Sequence, residues 1–191
     1  MRIVSGLLAG VLAVSQAYAD APFGNEDAKD ALFALKGRSV EIFKQDFLTQ
    51  RDVALLEQVA ESQLYYAAIA ASPEDGILNK ATIAAANHHS IEVAEQEALS
   101  ACNEARDGTQ ECVVVAHIKP RGWVPRDLQL SHDATAAWRS QYRRVRGEKA
   151  FAVSPSTGRF SAAKGDGAAA LAVSSCEALA EAQDCTVLLQ D

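Results

Sequence analysis

Ile69-Ala70-Ala71-Ser72-Pro73-Glu74-Asp75-Gly76 and Phe151-Ala152-Val153-Ser154-Pro155-Ser156-Thr157-Gly158 are one motif written twice, 82 residues apart, with alanine, Ser-Pro and glycine at equivalent places. Such a recurrence means that one supersecondary unit is used twice. In each copy an apolar run meets Ser-Pro-x-x-Gly, where proline fixes φ and glycine accepts a positive φ, and the chain then returns as a second short strand. Each motif therefore predicts a β-hairpin.

Beyond each hairpin the apolar spacing changes to three and four: Ile91, Ala94, Ala98, Cys102 and Ala105 in the first copy, Ala168, Ala172, Cys176 and Leu179 in the second. Ser90 and Asp166 are the expected N-caps of these helices. Each helix yields to a polar loop and a β-rich run, Cys112-Val113-Val114-Val115 and Cys185-Thr186-Val187-Leu188-Leu189. The expected fold is α+β, with two β-β-α-β repeats forming a mainly antiparallel sheet, helices on one side, and one core shared by both copies.

The four cysteines allow three pairings, and an even number in an exported chain reads first as disulfides. In both copies one cysteine ends the helix and the next opens the following strand, so repeat symmetry selects Cys102–Cys112 and Cys176–Cys185. A four-cysteine zinc site is disfavoured, because Cys-x9-Cys and Cys-x8-Cys lack the short chelating loops that zinc uses.

Around the repeats the chain divides into residues 1–19, a leader; 20–62, an N-terminal helical region; 63–120, the first repeat; 121–147, a connector with a helix; and 148–191, the second repeat. The leader has a basic start at Arg2, an apolar run from Ile3 to Val14, and Ala17-Tyr18-Ala19 before Asp20, the layout of a cleaved secretory signal peptide. In the N-terminal region Asn25 to Leu35 reads as a helix with Ala28, Leu32 and Leu35 on one side and Gly37 as its stop, Val40 and Ile42 alternate as in a short strand, and Thr49 with Asp52 opens a second helix. The connector holds Pro120, Gly122 and Pro125, then a helix opening at Ser131 with Ala134, Trp138, Tyr142 and Val145 on one side and Gly147 as its stop. No later segment has the ~18 consecutive apolar residues of a membrane-spanning helix. These features predict a periplasmic or secreted protein.

Tyr66-Ala67-Ala68-Ile69-Ala70 with the Ser-Pro-x-x-Gly turn, the alanine-rich helix ending at cysteine, and Cys-Val-Val-Val together resemble a family of small secreted bacterial domains of unknown function, whose motif reads Tyr-Gly-Ala-Ile-Ala-x-Ser-Pro-x-Thr-Gly. The resemblance covers residues 65–118 and, less completely, 149–189. Ala67 stands where that family has glycine, and the second copy lacks the initial tyrosine. The resemblance implies export and a disulfide, with no settled activity. The whole-chain layout is also similar to alphaproteobacterial exported proteins sometimes labelled 5-aminolevulinate synthase. The chemistry of that label requires a much larger body, a Schiff-base lysine and a phosphate cradle. None of the seven lysines after the leader has that context, so no cofactor is expected.

The chain carries 18 Lys+Arg against 25 Asp+Glu, a net −7 that becomes −8 once Arg2 leaves with the leader. That sign disfavours general binding to nucleic acid or anionic membranes. One local exception is Arg139, Arg143 and Arg146, which recur at i, i+4 and i+7 and form a basic stripe suited to an acidic protein or envelope component. Trp123, in a proline-bounded loop, is a second candidate binding residue, or a plug between packed repeats. Ser131-His132-Asp133 contains the residue types of a hydrolase triad, but adjacent helical residues diverge and a helix cap is the better reading. His88-His89 has no metal-ligand spacing. Lys164-Gly165-Asp166-Gly167 opens a helix, yet Asp166 would repel a phosphate there. The expected function is a non-catalytic exported binding or envelope-interaction module; the alternative is a small secreted hydrolase whose residues come from distant loops.

Overall fold

The computed structural model describes residues 21–191; the leader Met1–Ala19 and its cut before Asp20 lie outside the described residues. In chain order the elements are α1 (Asn25–Ala31), β1 (Arg38–Ile42), α2 (Gln50–Ser62), β2 (Ala67–Ala71), β3 (Ile83–Ala85), α3 (Ile91–Ala105), β4 (Val113–Pro120), α4 (His132–Ala137) continued by a π-helical turn (Trp138–Tyr142), β5 (Lys149–Val153), β6 (Phe160–Lys164), α5 (Ala168–Ala180) and β7 (Thr186–Gln190). The α+β class and the doubled β-β-α-β order, β2-β3-α3-β4 and β5-β6-α5-β7, are both present.

Each repeat builds its own antiparallel sheet in place of one common sheet. The strand orders are β1-β4-β2-β3 and β6-β5-β7, so the second sheet matches β4-β2-β3 of the first, and β1 is an addition beside β4. The match extends to an irregularity: the register shifts between Ile69 and Ala70 against β4, and between the equivalent Phe151 and Ala152 against β7. A bulge adds local twist, and here it stands at the same motif position in both sheets.

Alternation along the central strands decides what covers each face. Ala68 and Ala70 of β2 pack against α3, while Ala67, Ile69 and Ala71 face Leu56 and Ala60 of α2. Likewise Ala150 and Ala152 of β5 meet Ala168 and Ala172 of α5, while Phe151 and Val153 face Trp138, Tyr142 and Ala28. The repeat helix thus covers one face of each sheet across alanines, and a helix from outside the repeat covers the other across larger side chains. Both faces being covered explains why β2 and β5 are buried at every position. The segment before α1 also joins the second sheet, where Phe23 forms a parallel bridge to Leu189, and α1 itself stops at Ala31 rather than running to Leu35, because the backbone is already extended at Leu32 (ψ 135°).

Local signals in the sequence explain most boundaries. Thr49 and Asp52 form a reciprocal capping box, with Thr49 N–H donating to Asp52 Oδ2 at 2.9 Å and Asp52 N–H to Thr49 Oγ1 at 3.3 Å. The Ser90 and Ser131 hydroxyl oxygens accept from Val93 N–H and Ala134 N–H at 3.3 and 3.2 Å. Asp166 caps nothing: α5 begins after Gly167, which has φ +74°, and Ala168 N–H donates to Gly165 O at 3.0 Å. Two positive-φ glycines fold the chain back so tightly that a backbone carbonyl takes the donor expected for Asp166.

Disulfides join Cys102 to Cys112 and Cys176 to Cys185, each with Cα atoms 6.1 Å apart. The loop inside each disulfide is clasped to the Ser-Pro turn of its own repeat. In the first repeat the turn supplies the acids: Glu74 Oε2 accepts from Thr109 and Gln110 N–H, and Asp75 Oδ2 from Asp107 and Gly108 N–H at 3.1 and 3.2 Å. In the second the loop supplies the acid, Asp184, which accepts from Ser154 Oγ at 2.7 Å and Ser156 N–H at 3.0 Å. The clasp persists with donor and acceptor sides exchanged.

Candidate functional site

The connector helix changes character where the basic stripe begins. It is α-helical to Ala137, then winds as a π-helix through Trp138–Tyr142, closed by Arg143 N–H donating to Trp138 O at 2.8 Å. The wider turn keeps two large aromatics inside: Trp138 Nε1 donates to Asn25 Oδ1 at 3.1 Å, and Tyr142 Oη to Asp191 Oδ2 at 3.0 Å. Arg139 lies in the π-turn, Arg143 closes it and Arg146 follows in irregular backbone, so they do not form the straight i, i+4, i+7 row of a continuous α-helix.

All three arginines are exposed, and none forms an ion pair among the described residues. Arg139 Nη2 donates to Phe33 O at 3.2 Å, and the Arg143 guanidinium lies 5.6 Å from the Trp138 ring centroid. The same segment lines a depression of about 220 Å³ through Gln141, Tyr142 and Val145, with Lys149 and Lys164 opposite. Lys149 is occupied by the fold: Nζ donates to Val145 O at 3.0 Å, sits 4.6 Å over the Tyr142 ring, and approaches Asp191 at 3.5 Å. Lys164 at the end of β6 is exposed.

Trp123 packs on Tyr65, Tyr66 and Ile91, donates from Nε1 to Gln129 Oε1 at 3.1 Å, and carries the Lys119 ammonium 4.7 Å above its ring. It ties the connector to the first repeat. Ser131-His132-Asp133 makes no relay. The Ser131 hydroxyl accepts from Ala134 N–H, while His132 Nδ1 meets Asp133 Oδ1 at 3.0 Å and its ring packs edge-on against Tyr65.

The histidine pair divides its roles. His89 is buried, and its Nδ1 accepts from Ser131 N–H at 3.0 Å; that fixes the proton on Nε2, which donates to Arg159 O at 3.2 Å. One neutral imidazole thus joins the first repeat, the connector and the second repeat, and burial lowers its pKa to about 4. His88 is also buried, which lowers its pKa, but its Nδ1 has no hydrogen-bond partner. It lines a cleft of about 510 Å³ where the repeats meet, together with Glu97, Ser156, Thr157, Arg159 and Glu181. No residue periodicity announces this cleft, because its walls come from residues 83–97 of one repeat and 156–181 of the other and meet only by the packing of one repeat on the other. His117 lies elsewhere, with Nε2 2.5 Å from Glu95 Oε1 and its ring edge-on to Phe43.

Among the described residues there is no cluster of three or more His, Cys, Asp or Glu side chains placed to hold a metal, and no helix long and apolar enough to cross a membrane. No family model, curated protein or solved structure matches the chain at a significant level.

Proposed function

We propose that this protein is an exported, non-catalytic binding module, periplasmic or secreted, that engages an acidic protein or envelope component through Arg139, Arg143 and Arg146. The observation that carries this reading is that three exposed guanidinium groups without ion pairs among the described residues stand together on a chain of net charge −7. Guanidinium groups of this kind offer forked donors to carboxylates or phosphates, while the acidic remainder repels the same partner and so orients its approach. The two disulfides agree with an oxidising compartment.

The hydrolase alternative has less support. In the second Ser-Pro turn Ser154 and Thr157 are bonded to one another at 2.8 Å, and Ser154 is bonded to Asp184, which makes the turn a structural clasp rather than a nucleophile paired with a histidine base.

Replacing all three arginines by glutamine tests the proposal. Exposed groups without ion pairs add little to stability, so the melting temperature should stay within about 2 °C of the parent. Recovery of envelope material on the immobilised protein should fall and lose its dependence on salt. Unchanged recovery accompanied by a large fall in melting temperature would assign the arginines to structure and end the binding reading.

A further inference from the structure

We infer that the cleft between the two repeats is a second site, for a small zwitterion: a free amino acid or short peptide whose ammonium meets Glu97 and Glu181 and whose carboxylate meets Arg159. The site is independent of the arginine face and stands whether or not that proposal holds.

The cleft's volume, about 510 Å³, lies within the range of small-molecule sites. Its charges are of both signs. Arg159 enters from the turn before β6, Glu97 from α3 and Glu181 from the end of α5, and none of the three forms an ion pair among the described residues. A simple anion would meet two carboxylates and a simple cation would meet a guanidinium. A molecule carrying both charges answers both walls, which is the electrostatic complementarity that selects one partner over others. Glu181 is held at the rim with φ +54°, a backbone conformation that L residues rarely adopt. Ser156 and Thr157 add polar contacts, and Ile83 and Leu179 offer apolar surface to a short side chain.

His88 is only 7% exposed, lines the cleft, and has an Nδ1 with no hydrogen-bond partner, whereas the neighbouring His89 satisfies both ring nitrogens. Buried polar atoms are nearly always paired; this unpaired Nδ1 lies beside the cleft but is itself closed to solvent, so the charged groups of the lining, not His88, carry the inference.

The walls are also fixed relative to each other. A Cβ on Gly158 would stand 2.6 Å from Asn87 O, so the two backbones touch beside the cleft. Asn87 and Asp133 exchange two hydrogen bonds, Nδ2–H to Oδ2 at 3.0 Å and Asp133 N–H to Asn87 Oδ1 at 3.1 Å, which tie the first repeat to the connector, and the His89 bridge carries that join on to Arg159 of the second repeat. A ligand entering here finds its partners already placed.

The test uses the exported protein with both disulfides formed, followed by amide NMR during separate titrations with alanine, dialanine and trialanine, and with dialanine blocked at its amine or at its carboxylate. The site predicts shifts at Ser156, Thr157 and the Glu97 segment with at least one unblocked probe, and affinity at least about tenfold weaker for either blocked form. The length of the best probe separates a free amino acid from a peptide. Arg159→Gln should weaken binding by about tenfold or more with an unchanged melting temperature, since the side chain is exposed. The triple glutamine variant of Arg139, Arg143 and Arg146 should bind the probe like the parent. No cleft shifts with any unblocked probe at about 10 mM, equal binding of blocked and unblocked forms, or indifference to Arg159→Gln overturns the inference.

Discussion

Acid should loosen this protein at one identifiable atom, Nδ1 of His89. In the folded chain that nitrogen accepts from Ser131 N–H, and a proton added there would set two donors against each other in a buried place. The folded pKa is about 4, against 6.5 for an unperturbed histidine. Between those values the unfolded chain binds a proton that the folded chain refuses, so stability is fully present above pH 6.5 and falls as the pH drops toward 4. Across that window the loss is roughly 3 kcal/mol, a large part of the stability of an ordinary domain. Several carboxylates act in the same direction at lower pH. Glu74 is held below its usual range by the backbone N–H groups of Gln110 and Thr109, and Asp75 by the Ser72 hydroxyl and Gly108 N–H. His88, whose pKa is lowered by burial, adds a parallel slope.

His89→Asn isolates the His89 contribution. Its Oδ1 replaces the Nδ1 acceptor for Ser131, it cannot titrate, and Arg159 O keeps its bond from Ser154 N–H at 2.9 Å. Urea unfolding followed by tryptophan fluorescence, at intervals from about pH 7.5 to 4, should show the parent losing roughly 3 kcal/mol more than the variant. Curves that run parallel within about 0.5 kcal/mol would refute the assignment of a neutral, bridging His89. His89→Gln makes a useful contrast, because it leaves the Ser131 N–H unpaired and should cost about 1–3 kcal/mol at neutral pH.

Gly76 and Gly158 occupy equivalent turn positions with the same φ of +72°, but only Gly158 has a neighbour, Asn87 O, in the path of a Cβ. Alanine at Gly76 should cost about 1–2 kcal/mol of backbone strain, and alanine at Gly158 at least about 1 kcal/mol more in thermal unfolding; equal costs would mean that the repeats do not touch there. Replacing Cys102 and Cys112, or Cys176 and Cys185, by serine should lower stability by about 2–3 kcal/mol per pair, and non-reducing peptide mapping that linked one repeat to the other would contradict both pairings. N-terminal sequencing of the protein recovered from cells should begin at Asp20; an intact Met1 would remove the compartment from which the disulfides were first expected.

Local chemistry was legible in the sequence. Capping by Thr49, Ser90 and Ser131, the turns at Ser72-Pro73 and Ser154-Pro155, and the helix spacing through Cys102 and Cys176 depend on residues within a few positions of each other. The recurrence at 82 residues also selected the cysteine pairs, because each pair closes a short loop inside one unit. Tertiary structure decided the rest. Whether two equal units share a sheet depends on what covers their edges and second faces, and here α2 for the first repeat, and α1 with the connector helix for the second, close each sheet separately. Asp166 lost its capping role to a carbonyl brought round by two glycines, and the arginine row was bent where Trp138 and Tyr142 drew the helix into a π-turn. The cleft at His88 and Arg159 arises only where one repeat packs against the other. A linear pattern records spacing along the chain; the meeting of surfaces from two separate repeats is set by packing, which has no period to read.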